Sequence, residues 1–421
     1  MKISIFIDYT TNLQSMIFTE VNTFTSLVSS AFNGLSLNKW RRDFLIEIFM
    51  LYLVIPGRIN FTQMSRYSKY CEQRFRNQFK EKLDFMNYNT SLITPYVGSR
   101  IAISFDPSHI EKSGKKTPYL GSFWSGSDQY TKKGLEIAQI ALIDIDLNQS
   151  FHLEAVQTVP VKTLKQADLS LSDWYAHSII SRKQELQKIT KIVVADAFFS
   201  KITFVQPLMN EGFYVISKLR DDANLRYKFT GEYSGSGRPT QFAGKIDLNN
   251  LNMDIFTQIQ INDNTQAFYA IVNSKSLKID ILLVVERKTD ERGKTIQRLI
   301  FSTDTKMNAL EVLEYYHCRF QIEFNFRDAK QATGLNHCQA RDLDKLYFHF
   351  NTSLTTINIS KIMHLNDKNK EGKPFSIADY KVLYHNAFLL NRFIETFGIK
   401  PKTLKSHHHV KELLYFGTKA A

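Results

Sequence analysis

The chain has 421 residues, with 54 Lys and Arg against 41 Asp and Glu, and a formal charge of +13. Hydrophobic residues make up 43% and aromatics 13%, enough for a sizeable packed core, which excludes a wholly disordered chain. Three cysteines, Cys71, Cys318 and Cys338, make neither a disulfide framework nor a zinc spacing and fit a reducing compartment. The start carries no signal-peptide pattern. The most apolar window, residues 44–55, is too short to span a bilayer and contains Glu47. Soluble and cytoplasmic, with no membrane contact, is the expectation. A pI near 9.3 points to a polyanionic partner, nucleic acid ahead of a membrane surface.

Residues 1–95 read as helical. Residues 40–54 form a strong helix stopped by Pro56-Gly57, and residues 68–85 predict a second, basic helix with Arg74, Arg76, Lys80 and Lys82. That arrangement is compatible with a DNA-binding domain and equally with a bundle that has a solvated basic face. From Arg100 the pattern changes. Residues 101–105 predict a short strand ending at Asp106, and residues 139–146 and 151–159 two more. A helix is expected over 174–188. The apolar run 191–195 predicts a buried strand ending at Asp196, and 213–217 the next. Together these make a mixed α/β sheet. Between 222 and about 303, short strands at 241–246, 255–261, 267–273, 280–285 and 298–302 read as a β-rich module inserted into the α/β domain. Helix returns at Asn308 and persists to about residue 396. The tail with His407-His408-His409 reads as a polar surface run.

Asp106 and Asp196 each follow an apolar strand directly. Carboxylates at the ends of neighbouring strands can share a site, and hard divalent cations prefer such oxygens. Two carboxylates and a third can hold two Mg²⁺ ions about 3.5–4 Å apart, the arrangement used in phosphoryl transfer. Taken singly, each Asp reads first as a helix N-cap or a turn former. The third acid comes from residues 315–330. With Tyr316 at zero on a helical wheel, Arg319 falls at about −60°, Glu323 at about −20° and Lys330 at about −40°, on a stripe about 21 Å long. Arg319 can fork onto a phosphate and Lys330 can act as a point charge. The plainer reading is an Arg319–Glu323 ion pair on an exposed helix. Asp328 falls at about +120°, off the stripe.

The spacing Tyr316-x2-Arg319-x3-Glu323-x6-Lys330 resembles the signature of DDE transposases of the insertion-sequence-4 family. Residues 104–117 around Asp106 and 193–199 around Asp196 are similar to the blocks that hold that family's two catalytic aspartates. Gly237-Arg238-Pro239 with Phe242, and Lys330-Gln331-x2-Gly334-Leu335, resemble the family as well. The resemblance spans about residues 95–365. It implies an α/β RNase H-like core interrupted by a mostly β insertion, with a helical N-terminal domain and a helical C-terminal part. The corresponding boundaries are 1–95 for DNA binding, 96–221 and 304–370 for the core, 222–303 for the insertion and 371–421 for the C-terminal region and basic tail.

The resemblance also implies chemistry. Asp106, Asp196 and Glu323 would hold two Mg²⁺ ions, with Mn²⁺ as a substitute, to cut transposon ends and join the 3′ ends to target DNA. Tyr316, Arg319 and Lys330 would grip phosphates. Lys112, Lys115 and Lys116, in a glycine-containing loop after Asp106, are candidate phosphate contacts, with a solvated loop as the alternative. Arg238 resembles a short minor-groove hook. The implied partners are double-stranded DNA, both transposon ends and target, and a second copy of the chain, in a bacterial cytoplasm at the nucleoid. One departure concerns hairpin-forming relatives, which stack an extruded base on an aromatic of the insertion, often Trp. All three Trp here, Trp40, Trp124 and Trp174, precede it. A stand-alone nuclease and a non-catalytic DNA-binding relative are the competing readings.

Overall fold

The computed structural model describes residues 18–126, 128–231, 239–399 and 408–419. The N-terminal region holds α1 (Thr19–Ser30), α2 (Lys39–Val54), α3 (Phe61–Arg66), α4 (Glu72–Gln78) and α5 (Phe85–Ile93). Asn38 caps α2 by accepting the Arg41 N–H, and residues 44–55 are buried without a break. The long basic helix expected over 68–85 does not form. Ser68 Oγ takes the Tyr70 N–H, and the Asp84 carboxylate takes the Asn87 N–H to start α5. These local side-chain bonds compete with helix propagation and leave only α4 between them.

The chain continues through β1 (Ile101–Glu111), β2 (Gly121–Ser125), β3 (Tyr130–Asp144), β4 (Gln149–Gln157), α6 (Val161–Gln166), α7 (Leu171–Ile180), α8 (Lys183–Leu186), β5 (Ile192–Ala195), α9 (Ile202–Asn210) and β6 (Tyr214–Lys218). Then come β7 (Leu225–Lys228), β8 (Phe242–Lys245), β9 (Thr257–Asn262), β10 (Thr265–Ser274), β11 (Ile279–Thr289) and β12 (Thr295–Ser302). The last helices are α10 (Ala309–Cys318), α11 (Gln321–Gln331), α12 (Leu343–Asn366), α13 (Ile377–Thr396) and α14 (His408–Tyr415). Among the described residues, no helix is long and apolar enough to cross a membrane.

The described strands form one sheet in the order β2-β3-β1-β5-β6-β12-β11-β10-β7-β8, with β4 on β3 and β9 on β10. β1 is antiparallel to β3 and parallel to β5, which is parallel to β6. β12 pairs antiparallel with β6, so the strands from Leu225 onward extend the same sheet. Two strands escape the sequence pattern: β2, which pairs with the start of β3, and the polar β7. β1 does not stop at Asp106 but runs on to Glu111. Pro107 lies just past the last β1–β5 pair, Phe105 with Ala195, so its missing N–H breaks no bond to β5.

Alternation along the strands sorts side chains onto two faces. On one, Ala102, Ile143, Val194, Ile216 and Ile300 pack beneath Ala309, Val312 and Leu313 of α10. On the other, Phe105 meets Tyr175 of α7, Phe199 of the turn after β5, and Phe204 of α9. α12 crosses behind β4 and is buried from Leu346 to Met363 except for Tyr347. Its Asn358 accepts the His152 N–H and donates to the His152 carbonyl, at 2.8 and 2.7 Å. Asn351 does the same for Ala155, at 2.8 and 2.9 Å. Two amides one heptad apart thus pair with the free edge of β4 as a further strand would, and that edge is covered.

Candidate active site

Because Phe105 pairs with Ala195 on adjacent parallel strands, Asp106 and Asp196 stand side by side one residue further on. Asp196 also caps the turn after β5, its carboxylate accepting the Phe198 N–H at 2.8 Å, so the capping role and the shared site are both realised. The helix expected to carry the third acid is broken. α10 ends at Cys318, and the N–H groups of Phe320, Ile322 and Glu323 bond three residues back, to His317, Arg319 and Phe320. Tyr316 therefore sits on α10, Arg319 at the corner, and Glu323 and Lys330 on α11. The single straight stripe is replaced by two segments meeting at Arg319.

Asp196 and Glu323 still lie near enough to Asp106 for their charges to act on it. Burial first, then the Asp196 charge, with Glu323 and Glu136 adding and Arg319 opposing, push the Asp106 carboxyl up to about 8. Such crowding of acids with one nearby guanidinium favours a cation. The Arg319 guanidinium lies 3.3 Å from Glu323, faces the Tyr316 ring at 5.8 Å, and keeps a buried Nε without a partner. The plain ion pair is thus present, and one N–H remains for another acceptor. Lys330 donates to Ser108 Oγ on β1 at 2.8 Å, two residues from Asp106 and on the same face. Burial lowers its ammonium, with Asp106 and Glu111 opposing. With Glu323 drawn toward Arg319, the three carboxylates do not close to within 4.8 Å of one another. Among the described residues only the exposed His408, His409 and Glu412 do so, on the tail read as a polar surface run. The three acids offer hard oxygen donors, which suit Mg²⁺ or Mn²⁺.

The other candidates are scattered. Lys112 follows β1 and donates to the backbone carbonyls of Cys338 and Ala340. Lys115 and Lys116 are exposed on the following loop. Arg238 lies outside the described residues. Asp328 is buried and held by Arg327, and His317 is taken by Glu286. Asp144 accepts the Gly98 and Leu147 N–H groups, and Asp146 pairs with Arg100.

Two features went unread in the sequence. Glu136, buried on β3 and bonded by Tyr175, is a fourth acid near Asp106. A lone carboxylate inside the apolar run 135–143 was the signal for it. The second is a groove of about 760 Å³ lined by Arg58, Arg76, Lys112, Arg341 and Lys345 against Glu111 and Asp342. Its cations come from three distant chain segments, which no local pattern connects. None of the three acids lines it. It opens at Glu111, about 17 Å along β1 from Asp106 at ~3.4 Å per residue.

Residues 176–359 match the model of the transposase DDE domain. The match supports a DDE transposase. It includes Asp196 and Glu323 and begins after Asp106. It indicates a transposase-type function, for which DNA is the partner and divalent metal ions are generally used. No curated relative matches the chain.

Proposed function

We propose that the chain is the transposase of a bacterial insertion sequence of the insertion-sequence-4 family, that Asp106, Asp196 and Glu323 are its catalytic acids, and that it works as a dimer on paired transposon ends. The observation that carries this reading is the placement of Asp106 and Asp196 each one residue past the Phe105–Ala195 pair of neighbouring parallel strands, with Glu323 close enough to raise the Asp106 carboxyl. In this reading β4-β3-β1-β5-β6 is an RNase H-like core, residues 222–303 are an insertion that extends it, residues 1–95 bind DNA and residues 371–421 are a C-terminal helical region.

The three acids would hold two Mg²⁺ ions, which supply a polarised water or 3′-hydroxyl and a stabilised leaving oxygen. The chain's own groups do the rest. Arg319, with its free Nε, and Lys330, anchored on Ser108, hold the scissile phosphate against Asp106. Tyr316 packs against the Arg319 guanidinium and keeps it over the site. In the first step water adds to phosphorus and the P–O3′ bond breaks, leaving a 3′-hydroxyl on the transposon end. In the second, that hydroxyl attacks a target phosphodiester and displaces the target's 3′ oxygen. Lys115 and Lys116 on the loop after β1, with Arg238, add phosphate contacts. The basic groove beyond Glu111 receives the same strand about five nucleotides away, at ~3.4 Å per nucleotide.

The test is cleavage of a supercoiled plasmid carrying the DNA that flanks this gene, with Mg²⁺, comparing wild type with Glu323→Gln. Excision and joining by wild type, with a variant that binds but does not cut, supports the reading. Cutting without joining makes the chain a nuclease. Binding without cutting by both proteins makes it a non-catalytic relative.

A further inference from the structure

Between α10 and α11 the backbone stays right-handed helical at Arg319 and Phe320, but its bonds tighten to three residues back, so the regular turn of α10 does not by itself set the rotation of α11. Contacts on α11 must hold that rotation, since a carboxylate ligand works only within about 10–20° of the right direction. The buried side of α11 packs Ile322, Phe326 and Ala329, Lys330 ties it to Ser108 of β1, and Asn325 ties it to two further elements. Asn325 Nδ2 donates to Ser150 Oγ of β4 at 3.0 Å, and Asn325 Oδ1 accepts from Lys361 Nζ of α12 at 2.8 Å. Lys361 Nζ also donates to the Ser150 carbonyl at 2.7 Å. One ammonium, only 4% exposed, therefore closes a three-cornered junction between α11, α12 and β4. It also faces the Phe151 ring at 5.9 Å. A buried ammonium is costly, and an apolar side chain fills such space at less cost, so packing alone does not call for lysine.

We infer that Lys361 is a positioning residue, which fixes the rotation of α11 through Asn325 and so aims Glu323 at the Asp106–Asp196 pair. This rests on the transposase reading of Glu323. Lys361 touches none of the three acids, so its effect passes through the backbone of α11, as it does for outer partners of metal ligands.

The experiment uses the full chain with Lys361→Met, Asn325→Ala, their double variant, and Thr356→Val. Thr356 is buried on the same helix, and its hydroxyl bonds only to the Thr352 carbonyl of that helix. Free Mn²⁺ is counted by electron paramagnetic resonance, and cleavage is followed as Mn²⁺ is raised. Lys361→Met should weaken Mn²⁺ binding about tenfold and raise the Mn²⁺ needed for half-maximal cleavage, with DNA affinity and the cleavage plateau close to wild type. Asn325→Ala should do the same, the double variant should be no worse than either, and Thr356→Val should leave Mn²⁺ binding unchanged. Wild-type Mn²⁺ binding by Lys361→Met overturns the inference, as does an equal shift in Thr356→Val. Should Lys361→Met not fold, Asn325→Ala decides alone. If Glu323→Gln itself binds Mn²⁺ and cuts as wild type does, the triad reading falls. If Glu323→Gln is inactive while Lys361→Met and Asn325→Ala bind Mn²⁺ normally, only the positioning role falls.

Discussion

Two helices lie at the centre of this molecule, and they are buried for opposite reasons. α2 is apolar over residues 44–55 except for Glu47, and its burial follows from the transfer of those side chains out of water. α12 is as deeply buried but carries His349, Asn351, Thr352, Ser353, Thr355, Thr356, Asn358, Ser360 and Lys361. Burial of those groups is tolerable only because each finds a partner: Thr352, Thr356 and Ser360 bond carbonyls of α12 itself, Thr355 accepts from Asn89 of α5, and the others reach the β4 edge, α11 and the segment around Gly334. An apolar helix accepts many neighbours of the right size. A polar one specifies which strand lies beside it and in what register.

The largest effect should come from breaking that specification. Asn358→Leu keeps a branched side chain but strands the His152 N–H and carbonyl, and removes the donor to Asn89 Oδ1. With about 1–3 kcal/mol for each of the three buried groups left unpaired, the cost should be about 3–9 kcal/mol. The matching change on α2, Leu51→Met, conserves volume and character and should cost less than about 1.5 kcal/mol. Chemical denaturation of both variants reads the difference. Equal losses would mean that α12 is held by packing alone.

The contrast also explains what was legible. α2 and the strand cores announce themselves by apolar runs, and Asp106 and Asp196 stand out because carboxylates closing such runs are conspicuous. α12 could be read as helix but not as core, because its polar residues become satisfied only when β4 lies against them. The break at Arg319 is equally silent, since the residues on both sides continue a helical pattern. The expected basic helix over 68–85 failed for a local reason, the competition of Ser68 and Asp84 for backbone N–H groups. The basic groove needed three distant segments in place before its charge could be seen.

pH should pull the two helices in opposite directions. Burial, opposed by the Ser68 hydroxyl and Lys69, raises Glu47 on α2 to about 7. A carboxyl raised from 4.5 contributes stability that is fully present below pH 4.5 and lost as pH rises through 7. Around α12, burial lowers His152 and His349 to about 3. Their contribution is fully present above pH 6.5 and lost as pH falls toward 3. Glu47→Gln should therefore flatten the alkaline limb alone, gaining roughly 2 kcal/mol on wild type between pH 5 and pH 8 at ~1.4 kcal/mol per unit. Denaturation midpoints of the two proteins across pH 3–9 check this. A variant curve parallel to wild type would place the Glu47 titration elsewhere.

The smallest expected effect tests whether polarity or partnership matters on α12. The Thr356 hydroxyl donates only to the Thr352 carbonyl, at 2.8 Å. That carbonyl keeps its ordinary helical N–H when the hydroxyl is removed, so Thr356→Val orphans nothing and deletes the donor together with its need for a partner. The added methyl enters a site that is already fully buried. A lost weak bond and a gained apolar contact nearly cancel, and the change should stay within about 1 kcal/mol of wild type. A loss near that of Asn358→Leu would show that α12 cannot accept any apolar replacement. A near-neutral result beside a severe Asn358→Leu would locate its specificity in the side chains that bridge to β4 and α11.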